Sequence, residues 1–338
     1  MRLTTFAAAV LALTLAAFPV AKVAGQSSQS GQAGGNQQQI PQTQQPLKVQ
    51  VTLVNVFATV RDKRHAIVSD LSEKDFKILE DGQEQKIAFF SKEVNLPITL
   101  GILIDTSGSM SRILPAEQDA ASRFIHEVLR KNDLAMVISF DFDVDLLADF
   151  TQDPAILERA IRRTTISSVA GGGVVTPGPI PQTSQGGGTN LYDAIYLACH
   201  DELATEAGRK AVVVLTDAED TGSRLKVTDA IEAAQRSDAV IHVLLLTDTG
   251  FYMGLGYGGS SVAHKMAEET GGRVIDVHNE KTLEKAFDEL SQELRSQYVL
   301  GYYPTNVKHD GTFRKITVQM ERSDLKVLAR KGYYAPRS

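Results

Sequence analysis

Asp105, Ser107 and Ser109 form an Asp-x-Ser-x-Ser turn directly after the apolar run 98–104, Ile-Thr-Leu-Gly-Ile-Leu-Ile. One carboxylate and two hydroxyls at the end of a strand are hard oxygen donors, the kind that Mg²⁺ prefers. Two other segments carry matching chemistry. Thr189 follows Gly186-Gly187-Gly188 and stands next to Asn190 at the start of a helical pattern, and Asp217 follows the apolar run 211–215 and Thr216. In an open α/β sheet, ligands collect at the carboxyl ends of strands where the strand order reverses, so the three segments can meet there. N-capping by Ser107 or Ser109, and by Thr189 or Asn190, is the competing explanation. It accounts for any one of these residues but not for all five.

The elements that must position them have an α/β rhythm. Nearly continuous apolar runs at 98–104, 211–215 and 240–246 read as central parallel strands covered on both faces. The runs 134–140 and 144–150 lie close enough to form an antiparallel hairpin, and 274–277 is a short sixth strand. Helical periodicity covers 116–129, 155–163, 191–205, 226–236, 262–269 and 281–294. This is a doubly wound, mostly parallel six-stranded sheet with helices on both faces.

The flanks read as β structure. Alternation runs through 49–60, with a slip near Leu53-Val54 that suggests a bulge. Strand patterns follow at 67–68, 76–80 and 85–90, with Asp81-Gly82 as a hairpin signal. After the α/β region, strand patterns return at 298–303, 315–321, 325–329 and 332–334. Each set is too small to fold alone. The expectation is that they pair into one small all-β sandwich into which the α/β domain is inserted; two separate β units are the alternative.

The chain has 338 residues, enough for two domains, and a net charge of −6. No basic tract is present, which argues against electrostatic nucleic-acid binding. Trp is absent, which weighs against a carbohydrate-stacking platform. Arg2, the Ala- and Leu-rich run 6–20 and Val23-Ala24-Gly25 read as a secretory signal cut after Gly25, with an uncleaved anchor as the alternative. No later segment is apolar for long enough to cross a bilayer, so the mature chain is expected to lack a transmembrane helix and to be periplasmic or extracellular. The expected division is a signal peptide at 1–25, a disordered Gln/Ser/Gly-rich linker at 26–46, sandwich strands at 47–93, the α/β domain at 94–296 and the remaining sandwich strands at 297–338.

On Asp105-x-Ser107-x-Ser109, Thr189 and Asp217, taken with their strand context, the α/β region resembles a von Willebrand factor type A domain. The five residues match that family's metal-ion-dependent adhesion site. The stretch 71–82, the tail 298–303 and Arg330-Lys331-Gly332-Tyr333-Tyr334 also resemble a group of secreted bacterial proteins carrying this domain. The resemblance implies that Ser107 and Ser109 contact Mg²⁺ directly, with Mn²⁺ or Ca²⁺ as substitutes. It implies direct contact by Thr189 in the ligand-bound state, and action through bound waters for Asp105 and Asp217. A site with few anions leaves the ion electrophilic, so an Asp or Glu of a protein partner can complete its sphere.

Other features carry less chemistry. Cys199, the only cysteine, lies in a helical pattern and reads as a core residue. Glu219 and Asp220 read as a solvated loop. Asp141, Asp143, Asp145 and Asp149 read as the polar face of an edge strand. The loops 167–188 and 250–261, the second rich in Gly and aromatic residues, are expected on the metal-bearing rim. The leading function is a secreted, non-enzymatic protein-binding or adhesion module. A metal-assisted hydrolase and an envelope-assembly protein with a non-functional metal site are the alternatives; no nucleophile elbow, P-loop or zinc motif supports the first.

Overall fold

The computed structural model describes residues 53–92, 96–166, 188–247 and 258–337. The expected signal segment, the linker, the slip at 53–54, and most of the 167–188 and 250–261 loops lie outside the described residues or at their edge. Among the described residues no helix is long and apolar enough to cross a membrane.

The chain begins with β1 (Val54–Arg61), β2 (Phe76–Glu80), β3 (Gln83–Gln85) and β4 (Ile87–Ser91). Asp81 and Gly82 both take positive φ, 48° and 83°, as a two-residue hairpin between β2 and β3 requires. The pattern at 85–90 reads as one strand, but the structure divides it. β3 pairs with β2, whereas β4 joins the other sheet beside a C-terminal strand. The segment at 67–68 makes a single bridge, Arg61 to Ile67, instead of a strand.

Next come β5 (Ile98–Asp105), α1 (Leu114–Val128), β6 (Leu134–Phe140), β7 (Val144–Thr151), α2 (Pro154–Ile161) and α3 (Leu191–Tyr196). α3 runs on through a π-helical turn, Leu197–Glu202. β8 (Arg209–Thr216), α4 (Val227–Arg236), β9 (Ala239–Leu246), α5 (Gly258–Thr270), β10 (Val274–Val277) and α6 (Glu280–Leu294) complete the α/β layer. Its six-stranded sheet has the order β10-β9-β8-β5-β6-β7, parallel except for the edge hairpin β6–β7. All eight residues of β5 are buried. Ile98, Leu100, Ile102 and Ile104 join a core with α1, α2 and α6; Leu103 faces α3, α4 and α5 on the other side. From β5 the chain winds first to one side, through β6 and β7, and later returns to the other through β8. The switch point therefore lies between β5 and β8.

β11 (Tyr298–Tyr302), β12 (Phe313–Met320), β13 (Lys326–Ala329) and β14 (Gly332–Tyr334) end the chain. They interleave with the N-terminal strands in two antiparallel sheets, β13-β1-β11-β4 and β14-β12-β2-β3. Val56, Ala58, Val60, Phe76, Ile78, Tyr298, Leu300, Tyr302 and Ile316 share one core between the sheets. The α/β layer is thus inserted into a single sandwich rather than joining two β units.

Buried charge marks the junction of sandwich and α/β layer. Arg61 of β1 donates to Glu293 Oε2 of α6 at 2.7 Å, and Arg273 Nε donates to the same oxygen at 2.5 Å. Arg330 pairs with Asp238, and the Arg209 guanidinium stands 5.8 Å from the centre of the Phe57 ring.

Candidate metal centre

Asp105 ends β5 at the switch point. Its Oδ1 accepts from Ser107 N at 2.9 Å, and its Oδ2 accepts from Thr216 Oγ1, at the end of β8, at 2.6 Å. The carboxylate is thereby fixed from both strands that flank the switch point. Ser107 opens a 3₁₀ turn, Gly108–Arg112, as its N-cap residue, yet makes no side-chain capping bond. Its hydroxyl lies 2.9 Å from that of Ser109. Capping therefore does not account for Ser107, and the two hydroxyls form a pair at the accessible mouth above a buried carboxylate.

The other two segments are bound into the same rim. Asp217 follows β8, and its Oδ1 accepts from Glu219 N at 3.1 Å. Ala218, beside it, is buried with φ of 59°, a conformation that costs a residue with a Cβ and needs support from its surroundings. Gly259 of α5 supplies part of that support by close approach. A Cβ there would lie 2.5 Å from the Asp217 carbonyl oxygen. Thr189 is buried; its N–H donates to Thr221 Oγ1 at 3.0 Å, and its carbonyl accepts from Thr221 N and Gly222 N, each at 3.1 Å. Gly188 lies against Gly222 so closely that a Cβ on it would meet the Gly222 Cα at 2.9 Å. Asn190 N donates to Asp141 O at 2.6 Å and Asn190 Nδ2 to Phe142 O at 2.5 Å. The main chain at Thr189 is thus tied to the loop after Asp217 on one side and to the β6–β7 turn on the other.

Two expectations change here. Asp141 is not on a solvated face. It is buried, accepts from Thr106 Oγ1 at 2.8 Å and from Asp143 N at 3.0 Å, and so links the β6–β7 turn to the residue after Asp105. Asp143, Asp145 and Asp149 do lie exposed along the sheet edge. Asp220 is not merely a solvated loop residue, because its Oδ2 accepts from Ser223 Oγ at 2.5 Å and from Tyr192 N in the first turn of α3 at 3.1 Å. Cys199 is buried, and burial pushes its thiol up to about 12, so it is an inert core group.

The electrostatics fit a hard cation. Burial raises the Asp105 carboxyl to about 7 against the bonds from Ser107 and Thr216, and Asp217 raises it further. A cation above the turn would supply a counter-charge that no Lys, Arg or His among the described residues provides. No three His, Cys, Asp or Glu side chains are grouped as a metal cage among the described residues; the five residues expected to hold a cation comprise three hydroxyls and two carboxylates. Thr216 and Asp141 escaped the sequence reading because their roles come from pairing between distant segments. Glu117 escaped it as well: it is fully buried in α1, and among the described residues both of its carboxylate oxygens lack a hydrogen-bond partner.

Residues 100–219 match the family model described as von Willebrand factor type A domain, and the α/β layer of this chain is such a domain. Asp105, Ser107, Ser109, Thr189 and Asp217 all fall inside the matched span. A search of the curated proteins finds no match. Similar solved structures include the conserved hypothetical protein BatB from Bacteroides thetaiotaomicron, at 20% identity and TM-score 0.44, covering 58% of this chain and 97% of that one. The vWF domain of the type V pili tip protein Mfa5 from Porphyromonas gingivalis matches at 15% identity and TM-score 0.42, covering 58% and 94%. Proximal thread matrix protein 1 from the mussel byssus, in a form with a zinc-occupied MIDAS motif, matches at 14% and TM-score 0.47, covering 64% and 49%.

Proposed function

We propose that this chain is an exported, non-enzymatic binding module that grips an acidic side chain of a protein partner through a divalent cation, Mg²⁺ in the first instance. Asp105, Ser107, Ser109, Thr189 and Asp217 would hold the ion, and the ion would supply a Lewis-acidic position for the partner's Asp or Glu. The observation that carries this reading is the Ser107–Ser109 hydroxyl pair, left free of capping above the buried Asp105. Asp105 orients the turn through Ser107 N–H and fixes it to β8 through Thr216. The chain's own residues thus preset the donors, so little rearrangement is needed when the cation arrives. Few protein anions around the ion favour capture of an anionic partner; a carboxylate-rich cage would repel it.

The test is retention of envelope proteins on immobilised chain with Mg²⁺ or with EDTA, alongside Ser107→Ala. Retention that is lost in EDTA and in Ser107→Ala, with unchanged circular dichroism, is the expected result. Retention that persists in EDTA refutes metal-bridged capture. Turnover of an ester or phosphate substrate by the purified protein would replace the binding reading with the hydrolase.

A further inference from the structure

α1 presents Leu114, Glu117, Ala121, Phe124 and Val128 at alternating spacings of three and four, and all five are buried. This is the apolar stripe of an amphipathic helix, with a carboxylate at one of its core positions. Leu114, Ala121, Phe124 and Val128 pack in the core cluster that also holds Ile104, Leu215 and Leu246, at or near the carboxyl ends of β5, β8 and β9. Glu117 therefore lies on the face of α1 turned toward the sheet whose central strand ends in the Asp105 turn. It is 0% exposed, and among the described residues neither carboxylate oxygen has a hydrogen-bond partner. A buried carboxyl without a partner is destabilising, and native structures hold few of them. Among the described residues no Lys or Arg is a source of its shift. Burial first, then the charges of Asp105 and Asp217, push its proton affinity well above the ordinary carboxyl range.

We propose that Glu117 is a sixth residue of the metal centre, an inner acceptor that positions a water of the bound cation from beneath the Asp105 turn. The proposal rests on the metal-binding reading above. Among the described residues Asp105, Asp217 and Glu117 are not grouped as a cage that could share one ion directly, and the proposed link is through a water. Mg²⁺ keeps several of its waters and therefore offers donors to such a group. The two acceptor oxygens of Glu117, unpartnered among the described residues, would then match the donors of a hydrated ion. Glu117 is a positioning residue, not a direct ligand.

Calorimetric titration of Mg²⁺ into wild type, Glu117→Gln and Glu117→Leu tests this, with thermal unfolding in EDTA read on the same samples. Gln keeps the shape and removes the charge; Leu restores the apolar stripe. Removing a partner of this kind typically weakens metal binding about ten- to a hundredfold. The expected result is weaker Mg²⁺ binding of that order in both variants, with melting temperatures in EDTA equal to or above wild type. Variants that bind Mg²⁺ within about twofold of wild type overturn the assignment while leaving the metal centre in place. Melting in EDTA well below wild type also overturns it, by making Glu117 a structural residue. A wild type that gives no binding heat with Mg²⁺, Mn²⁺ or Ca²⁺ refutes the metal centre itself, and the role of Glu117 with it.

Discussion

His242 sits in mid-strand on β9, fully buried, with no hydrogen-bond partner at either ring nitrogen among the described residues. Burial, together with Arg273, Arg61 and Arg209, outweighs the attraction of Glu293 and lowers its pKa from 6.5 to about 4. The imidazole is therefore neutral in the fold when it would already be protonated in the unfolded chain. For a base with a depressed pKa, the native state is unpenalised above pH 6.5 and loses stability as the pH falls toward 4. The full loss is about 3 kcal/mol, most of it already reached at pH 4.5. Asp105 acts in the opposite sense. Its raised carboxyl means that, in EDTA, the fold gains stability as the pH falls below 7. Comparing wild type with His242→Leu in EDTA cancels that contribution, which both share. Urea unfolding at pH 7.5 and 4.5 should show wild type losing about 2–3 kcal/mol more than the variant. Parallel losses in the two proteins would refute the argument that burial sets the protonation of His242.

The glycines of the site can be separated by one pair of substitutions. Gly259→Ala drives a Cβ to within 2.5 Å of the Asp217 carbonyl oxygen, so thermal unfolding should show a loss of about 1–3 kcal/mol, accompanied by weaker Mg²⁺ binding. Gly108→Ala meets nothing within 4 Å and should change stability by less than about 0.5 kcal/mol. At the junction, Arg61→Met strips Glu293 of one of its two cations inside the protein and should cost about 3 kcal/mol in urea unfolding. Adding Glu293→Met should recover part of that loss, because the uncompensated charge is then gone.

The α/β layer was legible because its signals are local. Runs such as 98–104 and 240–246 admit few readings other than buried strands, and helical spacing located all six helices to within a few residues of their observed starts. The insertion of one domain into another was legible for a different reason, namely that neither flank has enough strands to close a core. What the sequence concealed depends on contacts between distant segments. The pattern at 85–90 gives no sign that the chain crosses between sheets after Gln85, because alternation is the same on either side of that step. Asp141 looks like any acidic residue of an edge hairpin until Thr106 is placed beside it. Glu117 could have been found from sequence alone, since a carboxylate interrupting the stripe Leu114, Ala121, Phe124, Val128 is out of place in an apolar seam. The Asp-x-Ser-x-Ser motif drew attention to its own turn and away from the helix that follows it.

The interleaving of the sandwich strands has a mechanical consequence. β1 lies inside its sheet, antiparallel to both β11 and β13. Val54, where β1 begins, is paired with Tyr302 at the far end of β11, whereas Tyr298, where β11 leaves the α/β layer, is paired with Ala58. A pull that enters at Val54 and exits through Tyr298 is applied to opposite ends of the paired strands. The hydrogen bonds run across the direction of pull, so they are loaded together in shear instead of being peeled one after another. Rupture then requires the whole ladder to slip at once, and the time to failure under tension is set by the rate of that single step. The pairing of β1 with β11 thus resists tension along its strands better than it would resist peeling.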